Sequence, residues 1–415
     1  MSKKYSIIII IIVILLLFVG LIFLLFSSNG NNNSTTVNTQ TSSSPFGNNS
    51  SNKTSTTTAK IINNQSASTT KNLADLIQLY RNPTSGSTFF SNKNGQSILR
   101  FVDRAVGNIY EYVSETQTGE VTRITNTTIP KIQEAIWSST GSNLIYRFLE
   151  NDTDNINSFS SIIKISSSSI SSGSQGEITG QFLQPNIKQV VISPKGDKVF
   201  GLLDKSDKSG SYGFIENIDG SNPKMIFDSQ LLYWNISWPK DNIITFTTKP
   251  NYIDSGSLYF FNPQTYSMDK IFGGIIGLST ITNKDGSLLA YSHSLDKSFL
   301  LNIYDVKNRI SSDLSVATLA DKCVWGNTNS KVLYCAVPQD IPSDNYPDAW
   351  YQGLESFSDN IWKIDVQTGS VTEIYQIGSN ESVSIDAFNL TISNNDKYLA
   401  FTNKNDLSLW LLQIK

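Results

Sequence analysis

The chain has 415 residues, of which 16% are charged, with a formal net charge of −3 and a pI of about 5.4. A chain of this length can form a large core, or two to three average domains. The balanced charge and the lack of a basic block in the sequence argue against a nucleic-acid-binding protein.

An apolar stretch lies close to the N-terminus. Residues 7–26 carry no charge, and a helix of this length spans about 30 Å, the thickness of a bilayer core. The stretch exceeds the apolar region of about 7–15 residues in a cleaved signal peptide, which remains the alternative. We therefore predict an uncleaved transmembrane helix at residues 6–26. Lys3 and Lys4 precede it, so the positive-inside rule places residues 1–5 in the cytoplasm and the following chain outside.

The next segment, residues 27–71, consists almost entirely of Ser, Thr, Asn, Gln and Gly. Such a composition cannot bury enough apolar surface to offset the loss of chain entropy. The sequence therefore predicts a disordered linker between the membrane and a folded domain at residues 72–415.

A polar turn followed by a short apolar strand recurs along this domain, most clearly at residues 282–291. Seven copies are anchored by one apolar or aromatic residue each: Ile98, Leu144, Val199, Ile243, Leu288, Val332 and Tyr398. Most neighbouring anchors lie 44 to 46 residues apart, and further strands rich in aromatic residues follow each anchor. A period near 45 residues with four short strands per unit is typical of β-propeller blades. We predict an all-β propeller of about seven four-stranded blades, with six or eight as alternatives.

Two motifs carry a resemblance to known proteins. Residues 137–146 read Trp-Ser-x-x-Gly-x-x-Leu-Ile-Tyr, and residues 193–198 read Ser-Pro-Lys-Gly-Asp-Lys. Both resemble the repeats of TolB-type and WD-repeat-like β-propellers, here in a membrane-anchored form, and the resemblance covers roughly residues 91–415. It implies the fold but no activity, because such propellers host binding, scaffolding and enzymatic functions alike. The repeats are degenerate, since Thr282 stands where Trp137 stands, so no functional residue is transferred.

The last unit is one strand short, because residues 409–414 form its third strand and the sequence then ends. We expect an N-terminal segment to supply the fourth strand and close the ring. Within residues 72–80, however, Leu73, Leu76, Ile77 and Tyr80 have helical spacing. This spacing predicts a short helix packed on the ring, with an extended segment that completes the last blade as the alternative.

The sequence contains two cysteines, Cys323 and Cys335, on either side of a turn centred on Asn329. In a hairpin with a symmetric five-residue loop, the two cysteines lie opposite each other, about 4.5–5.5 Å apart and within reach of a disulfide. An extracytoplasmic location favours this disulfide, and two buried thiols are the alternative. Two thiols with no neighbouring His make an incomplete metal site, so no metal is expected.

An insertion at residues 337–357 explains the longest gap between anchors. It combines aromatic and acidic residues, among them Tyr346, Asp348, Trp350 and Tyr351. Aromatic side chains on a loop of a rigid ring are typical of a recognition surface, because they give a large contact area at small entropic cost. The other interpretation, which we favour slightly over recognition, is a hydrophobic lid, in which Tyr346, Trp350 and Tyr351 fold back onto the blade.

No catalytic motif is present. The only histidine, His293, lies within a predicted strand, where a packed or edge residue is the simplest interpretation. The sequence has no P-loop, dinucleotide fingerprint or nucleophile elbow, and no cofactor is expected. The acidic residues 150–155 lack the central glycine and distal glutamate of a calcium-binding loop. Carboxylates that converge from different blades in the channel, as a glycosidase requires, are the one enzymatic arrangement that the sequence leaves open.

These observations predict a single-pass membrane protein with an extracytoplasmic propeller. We expect the propeller to act as a non-catalytic binding or scaffold module of the cell envelope, with an envelope protein, a peptide or a glycan as its partner. The alternative is a carbohydrate-active, carboxylate-based hydrolase. An enzyme should have a deep axial pocket lined by two or more carboxylates of raised pKa, whereas a binding module should have a shallow, aromatic-rich face.

Overall fold

A computed structural model describes residues 76–115, 120–150, 155–165, 176–378 and 383–414. Within these ranges, 28 β-strands form seven separate four-stranded antiparallel sheets. Each of the seven anchor residues begins, or lies next to the start of, the second strand of one sheet. The sheets are the blades of a seven-bladed β-propeller, which confirms the predicted fold class and blade number.

The first strand of the chain, β1 (Leu76–Tyr80), belongs to the last blade, and the next twelve strands form blades 1 to 3. Blade 1 consists of β2 (Thr84–Ser91), β3 (Ser97–Asp103), β4 (Ile109–Val113) and β5 (Thr122–Arg123). Blade 2 consists of β6 (Ile132–Trp137), β7 (Asn143–Leu149), β8 (Ile156–Lys164) and β9 (Glu177–Phe182). Blade 3 consists of β10 (Ile187–Ile192), β11 (Lys198–Asp204), β12 (Ser211–Asn217) and β13 (Lys224–Ser229).

The remaining strands form blades 4 to 7. Blade 4 consists of β14 (Trp234–Lys240), β15 (Ile243–Thr248), β16 (Ser255–Phe261) and β17 (Met268–Ile276). Blade 5 consists of β18 (Ser279–Thr282), β19 (Leu288–Leu295), β20 (Ser298–Asp305) and β21 (Ile310–Val316). Blade 6 consists of β22 (Cys323–Trp325), β23 (Val332–Pro338), β24 (Asp359–Asp365) and β25 (Ser370–Tyr375). Blade 7 consists of β26 (Ala387–Ile392), β27 (Tyr398–Asn403) and β28 (Leu409–Gln413), with β1 as its outer strand.

Two short helices complete the description, a 3-10 turn at Ala320–Lys322 before β22 and the α-helix α1 (Asp348–Tyr351) between β23 and β24. The first strands of most neighbouring blades contact one another, which places them around the central axis. The two faces of the ring therefore differ. Tight turns joining the first to the second strand and the third to the fourth form one face, here called the turn face. Loops joining the second to the third strand, together with the connections between blades, form the other, here called the insertion face.

The ring closes through β1. This strand pairs antiparallel with β28, with Leu76 opposite Leu412, and it supplies the fourth strand that the C-terminal unit lacks. The short helix predicted over residues 72–80 is therefore wrong for residues 76–80, which are extended. Pairing covers the open edge of β28 and buries Leu76 and Leu79 against the blades. The helical spacing of the apolar residues arises because β1 is irregular between Gln78 and Tyr80.

The core lies between blades, as expected for units that cannot bury both faces alone. Blades 3 and 4 share an aromatic cluster in which Phe227 and Phe246 have ring centroids 4.4 Å apart, and Trp234 meets Phe246 edge-on at 5.6 Å. Offset and edge-on arrangements of this kind favour the ring quadrupoles and add to the gain from area burial. Hydrophobic clusters between other blades repeat the pattern around the ring.

The predicted disulfide is present. Cys323 in β22 and Cys335 in β23 are paired directly across the hairpin, and their sulfur atoms are bonded. The bond fixes the first strand of blade 6 to the second, one residue after Lys322. It therefore anchors the 3-10 turn that ends at the buried residue Lys322, on the insertion-face side of the blade.

One buried carboxyl group should make the stability of the ring depend on pH. Glu216 in β12 is buried, and one of its oxygens lacks a hydrogen-bond partner among the described residues. Burial raises its pKa from 4.5 to about 7. The folded state thus holds this proton more tightly than the unfolded chain, and folding stability falls as the pH rises from about 4.5 to 7.

Replacing Glu216 with Gln should remove this dependence. We expect Glu216→Gln to raise the free energy of unfolding by about 3 kcal/mol at pH 8 and to leave it nearly unchanged at pH 4.5. Urea denaturation at the two pH values measures the difference. Glu177→Gln, which changes an exposed carboxyl in blade 2, serves as the control. An equal gain for Glu216→Gln at both pH values would contradict the assignment.

The predicted cytoplasmic residues 1–5, transmembrane helix 6–26 and linker 27–71 lie outside the described ranges, as do residues 72–75. Among the residues that the structure does describe, no helix has both the length and the apolar character needed to cross a bilayer.

Candidate recognition face

The insertion connects β23 to β24 and lies on the insertion face. Since β23 continues to Pro338 and β24 starts at Asp359, the connecting segment is residues 339–358, with α1 near its middle. It is tied to blade 5 through Lys297, whose Nζ donates to Asn345 Oδ1 at 2.6 Å, and through Ser294, whose hydroxyl donates to the backbone oxygen of Tyr346. The insertion therefore extends beyond its own blade.

A second contact reaches blade 4. The backbone N–H of Tyr252, in the loop between β15 and β16, donates to Asp348 Oδ2 at 2.7 Å. On the opposite side, Lys404 of blade 7 donates through Nζ to the backbone oxygens of Trp350 at 2.6 Å and Glu355 at 3.3 Å. Residues 339–358 thus bridge blades 4 to 7 across one side of the insertion face.

The four predicted recognition residues have different environments. Tyr346 is fully buried, and its hydroxyl donates to the backbone oxygen of Pro342 at 2.8 Å. Trp350 is only 4% exposed, and both residues pack in a cluster with Phe299 and Phe357. This is the packing of the lid alternative, in which aromatic residues fold back onto the blade and cannot meet a partner directly.

The other two members of the predicted set remain accessible. Tyr351 is 38% exposed, while its hydroxyl donates to Asp321 Oδ2 at 2.6 Å. Burial of the hydroxyl and the neighbouring Asp321 raise the pKa of Tyr351 well above its usual value. Asp348 is half-buried and holds the Tyr252 backbone. Of the four residues, only Asp348 and Tyr351, which belong to α1, retain side-chain surface that solvent reaches.

A fully buried ion cluster lies beneath the lid. Lys322, Asp359 and Asp386 each have no exposed side-chain surface. Lys322 Nζ donates to Asp359 Oδ2 at 2.8 Å, to Asp386 Oδ1, and to the backbone oxygen of Ala387 at 3.0 Å. All three ammonium hydrogens therefore have an acceptor, which is the condition under which a charged lysine can be buried without a large desolvation cost.

The two carboxylates differ in their partners. Asp386 Oδ2 accepts from Trp350 Nε1 at 2.9 Å, from the Phe357 backbone at 3.1 Å and from the Ser356 hydroxyl at 3.2 Å. Asp386 therefore connects the start of blade 7 to α1 and to the C-terminal end of the lid. The ring of Trp350 lies 5.2 Å from Lys322 Nζ, within the range of a cation–π interaction.

Asp359 is less completely satisfied. Its Oδ2 accepts from the Ala387 backbone at 2.6 Å, whereas its Oδ1 has no hydrogen-bond partner among the described residues. Burial raises the pKa of Asp359 to about 6, against the opposing effect of Lys322, and the charge of Asp386 adds to the rise. The arrangement holds one cation between two carboxylates, but none of the three groups contacts solvent.

The sequence analysis missed this cluster. Lys322 and Asp386 each lie one residue before the first strand of a blade, and Asp359 is the first residue of a third strand. Chain direction therefore places all three on the insertion face. Most of the other blades carry unrelated residues at the equivalent positions, such as Pro83 before β2 and Leu278 before β18, so the repeats hold no signal for the cluster.

Exposed apolar side chains concentrate on the same face. Of thirteen large apolar residues exposed in the described part of the chain, ten lie in loops or strand ends of the insertion face: Phe182, Leu231, Tyr233, Tyr252, Ile253, Ile276, Leu295, Tyr351, Leu354 and Val383. The three on the turn face are Met225, Tyr266 and Ile310. A concentration of exposed apolar residues on one face is a feature of interaction sites.

Two further predicted features lie elsewhere. His293 in β19 is half-buried, and its Nδ1 accepts from Asn302 Nδ2 at 2.9 Å. Burial lowers its pKa, with Asp313 acting in the opposite direction. Among the residues described, no group of three or more His, Cys, Asp or Glu side chains is arranged to hold a metal ion. Most of the acidic loop at residues 150–155 lies outside the described ranges.

Comparison with known proteins identifies the fold and no more. No protein-family model matches the chain, and no curated protein matches it. An oligogalacturonate lyase in complex with manganese has a TM-score of 0.51 at 12% identity, over 82% of this chain and 97% of that one. The lyase from Vibrio parahaemolyticus has a TM-score of 0.53 at 11% identity, over 81% and 90% of the two chains. TolB from Acinetobacter baumannii, with a TM-score of 0.43 at 11% identity over 69% and 62%, is also similar, but too distantly to support an argument.

Proposed function

We propose that this chain is a membrane-tethered, extracytoplasmic β-propeller that acts as a non-catalytic binding or scaffold module of the cell envelope. Its partner is a protein, a peptide or a glycan, and the partner contacts the insertion face. The observation that carries the proposal is the concentration of exposed apolar side chains on that face, next to an ordered insertion that bridges four blades.

The exposed residues fit a shallow contact surface. Ile253 and Leu354 are 66% and 71% exposed, and they belong to the group of exposed apolar side chains on this face. The aromatic residues beneath the insertion, by contrast, hold it in a fixed shape. A pre-formed surface of this kind lowers the ordering cost of binding, and this favours affinity without a large interface.

The buried cluster is better explained as a structural anchor than as an active site. A hydrolase needs its carboxylates within hydrogen-bond reach of substrate. Asp359 and Asp386 have no exposed surface and both bind Lys322. Their role in the proposal is to hold the lid, and thereby the outer surface of the insertion, in place.

A carboxylate-based, carbohydrate-active hydrolase is the second candidate. It is favoured by one observation, namely that two carboxylates converge from different strands and that the pKa of one of them is raised to about 6. A panel of chromogenic glycosides and oligosaccharides, incubated with the purified full chain, tests it. Turnover that is lost in Asp359→Asn while the fold remains intact would support the enzyme and oppose the binding module.

The location is proposed from the sequence, since residues 7–26 are uncharged and follow Lys3 and Lys4. A membrane-impermeant, amine-reactive reagent applied to intact cells should label the lysines of the propeller. Labelling that appears only after lysis would contradict the proposed orientation. Recovery of the chain in the soluble fraction would contradict the tether.

Binding is tested by crosslinking in intact membranes, with the wild type compared against two variants. Ile253→Asp changes the insertion face, and Ile310→Asp changes a residue of similar exposure, 59%, on the turn face. We expect a crosslinked partner with the wild type and Ile310→Asp, and its loss with Ile253→Asp. Equal capture by all three forms would mean that the partner does not contact this face. The absence of any crosslinked partner would contradict the binding function.

A further inference from the structure

We propose that the partner is a basic polypeptide segment with apolar anchor residues, and that it docks where blades 4 and 5 meet the insertion. This inference rests on the proposed binding function and specifies its ligand. The docking surface, here called the acidic sector, contains six exposed apolar side chains: Tyr252, Ile253, Ile276, Leu295, Tyr351 and Leu354.

Direct contacts make the acidic sector one continuous surface. Tyr252 is joined to α1 by the hydrogen bond from its backbone to Asp348. The backbone N–H of Gly277 donates to the Asn251 oxygen at 2.9 Å, which places Ile276 beside the same loop. Tyr351 belongs to α1, and Leu354 follows it with a backbone bond from its N–H to the Ala349 oxygen.

Blade 5 completes the surface. Leu295 lies two residues before Lys297, which binds Asn345 of the insertion at 2.6 Å. Gly277 approaches so close to Ser294 that a Cβ atom on the glycine would clash with the serine hydroxyl. The end of β19 and the loop that follows it therefore pack against the connection from blade 4 and against the insertion, and Leu295 extends the apolar area from that side.

Carboxylates outnumber cations around these apolar residues. The acidic groups on the loops of blades 4 to 6 at this face that are not fully buried are Asp254, Asp296, Asp321, Asp340, Asp344, Asp348 and Glu355. The basic groups that are not fully buried are Lys249 and Lys297, with Lys404 at the edge of blade 7. Within the described residues, none of the seven carboxylates forms a salt bridge.

Several of these carboxylates raise the pKa of one neighbouring group, the hydroxyl of Tyr346. The pKa of Tyr346 rises to about 12, mainly through burial, and Glu355, Asp344 and Asp340 all contribute to the rise. The carboxylates of the insertion therefore produce a common negative potential, and a positively charged partner complements such a potential.

The chemistry of the acidic sector distinguishes a polypeptide from other ligands. An anionic lipid surface would be repelled by the unpaired carboxylates. Four of the six apolar residues are Ile or Leu rather than aromatic, and aliphatic side chains do not provide the flat rings on which sugars stack. Exposed aliphatic residues surrounded by unpaired charges of one sign fit a polypeptide that supplies both apolar anchors and Lys or Arg.

The test uses a random library of displayed 15-residue peptides, selected on the purified full chain in detergent. We expect the enriched peptides to combine Lys or Arg with Leu, Ile, Phe or Trp, and to lose affinity as salt is raised. An enriched set that is acidic or uncharged would overturn the proposal, and so would a failure to enrich any peptide.

Variants locate the site of the enriched peptides. Leu354→Ser and the double charge reversal Asp254→Lys with Asp296→Lys should each weaken binding by about tenfold or more. The matched controls on the turn face, Ile310→Ser and Asp269→Lys, should leave it unchanged. Equal weakening by the controls, or none by the sector variants, would overturn the proposal.

Two other outcomes separate this inference from the function on which it rests. Self-association of the wild type, abolished by Leu354→Ser in sedimentation experiments, would identify a second copy as the occupant and overturn a basic partner. Crosslinking of a partner in membranes that depends on Ile253, with no enrichment of basic peptides, would leave the binding function in place and overturn the ligand class alone.

Discussion

Replacing Lys322 with methionine is expected to lower the free energy of unfolding by about 3–5 kcal/mol at pH 8. The lysine places one charge between two carboxylates that have no exposed surface. Methionine fills a similar volume but leaves Asp359 and Asp386 buried without the cation that both carboxylates bind. The cost is that of an uncompensated buried charge and not the loss of an attractive pair.

The pH dependence of this loss identifies its cause. Without Lys322 the pKa of Asp359, already raised to about 6, should rise further, because the lysine opposes the effect of burial. Protonation then neutralises the carboxyl, so the loss should be smaller at pH 5 than at pH 8. Urea denaturation at both pH values measures it, with Lys331→Met at an exposed position as the control. A loss below about 1 kcal/mol at pH 8 would mean that the cluster is not held by charge.

The regular part of the fold was predictable because local signals repeat. Each blade has a polar turn before its second strand, and a positive φ at Gly95, Gly141, Gly196 and Gly286 shows why glycine recurs in that turn. The anchors Ile98 to Tyr398 identified the second strand of every blade. Even the disulfide followed from hairpin symmetry, since Cys323 and Cys335 are direct partners across β22 and β23.

The first strand was misassigned because its conformation depends on residues more than 300 positions away. Leu76 and Leu79 are buried at a spacing that a helix also produces, and the irregular pairing near Gln78 hides the two-residue period of a strand. The deciding factor is the open edge of β28, whose backbone groups pair with β1. Residues 76–80 themselves carry no signal that the edge of β28 is open.

The candidate site was predicted only in part, for a similar reason. The composition of the insertion identified the segment, but not which aromatic residues face inwards. Trp350 faces inwards because its Nε1–H donates a hydrogen bond to Asp386. Tyr346 faces inwards because Phe299 of blade 5 packs against its ring. Both partners lie in other blades. The exposed residues Ile253 and Leu295 were not considered, since their common face follows only from the order of strands in the ring.

Replacing Trp350 with alanine is expected to lower the free energy of unfolding by about 3–5 kcal/mol. The side chain is 4% exposed, donates to Asp386, and lies 4.7 Å from Lys404 Nζ as well as over Lys322. Its removal leaves a cavity above two lysines and takes one donor from a buried carboxylate. Alanine at the neighbouring Tyr351, which is 38% exposed, should cost about 1 kcal/mol, the value of its hydrogen bond to Asp321.

The comparison of these two variants separates support of the insertion from recognition by it. If Trp350 acts by supporting the lid, Trp350→Ala should lose stability and peptide binding together. The double variant with Lys322→Met should lose less free energy of unfolding than the sum of the two single losses, because both changes disturb Asp386. Tyr351→Ala should weaken binding with little change in stability. Full stability in Trp350→Ala, measured by urea denaturation, would contradict the buried position of the indole. Unchanged peptide binding in Tyr351→Ala would instead remove α1 from the contact surface and leave Ile253 and Leu354 as its anchors.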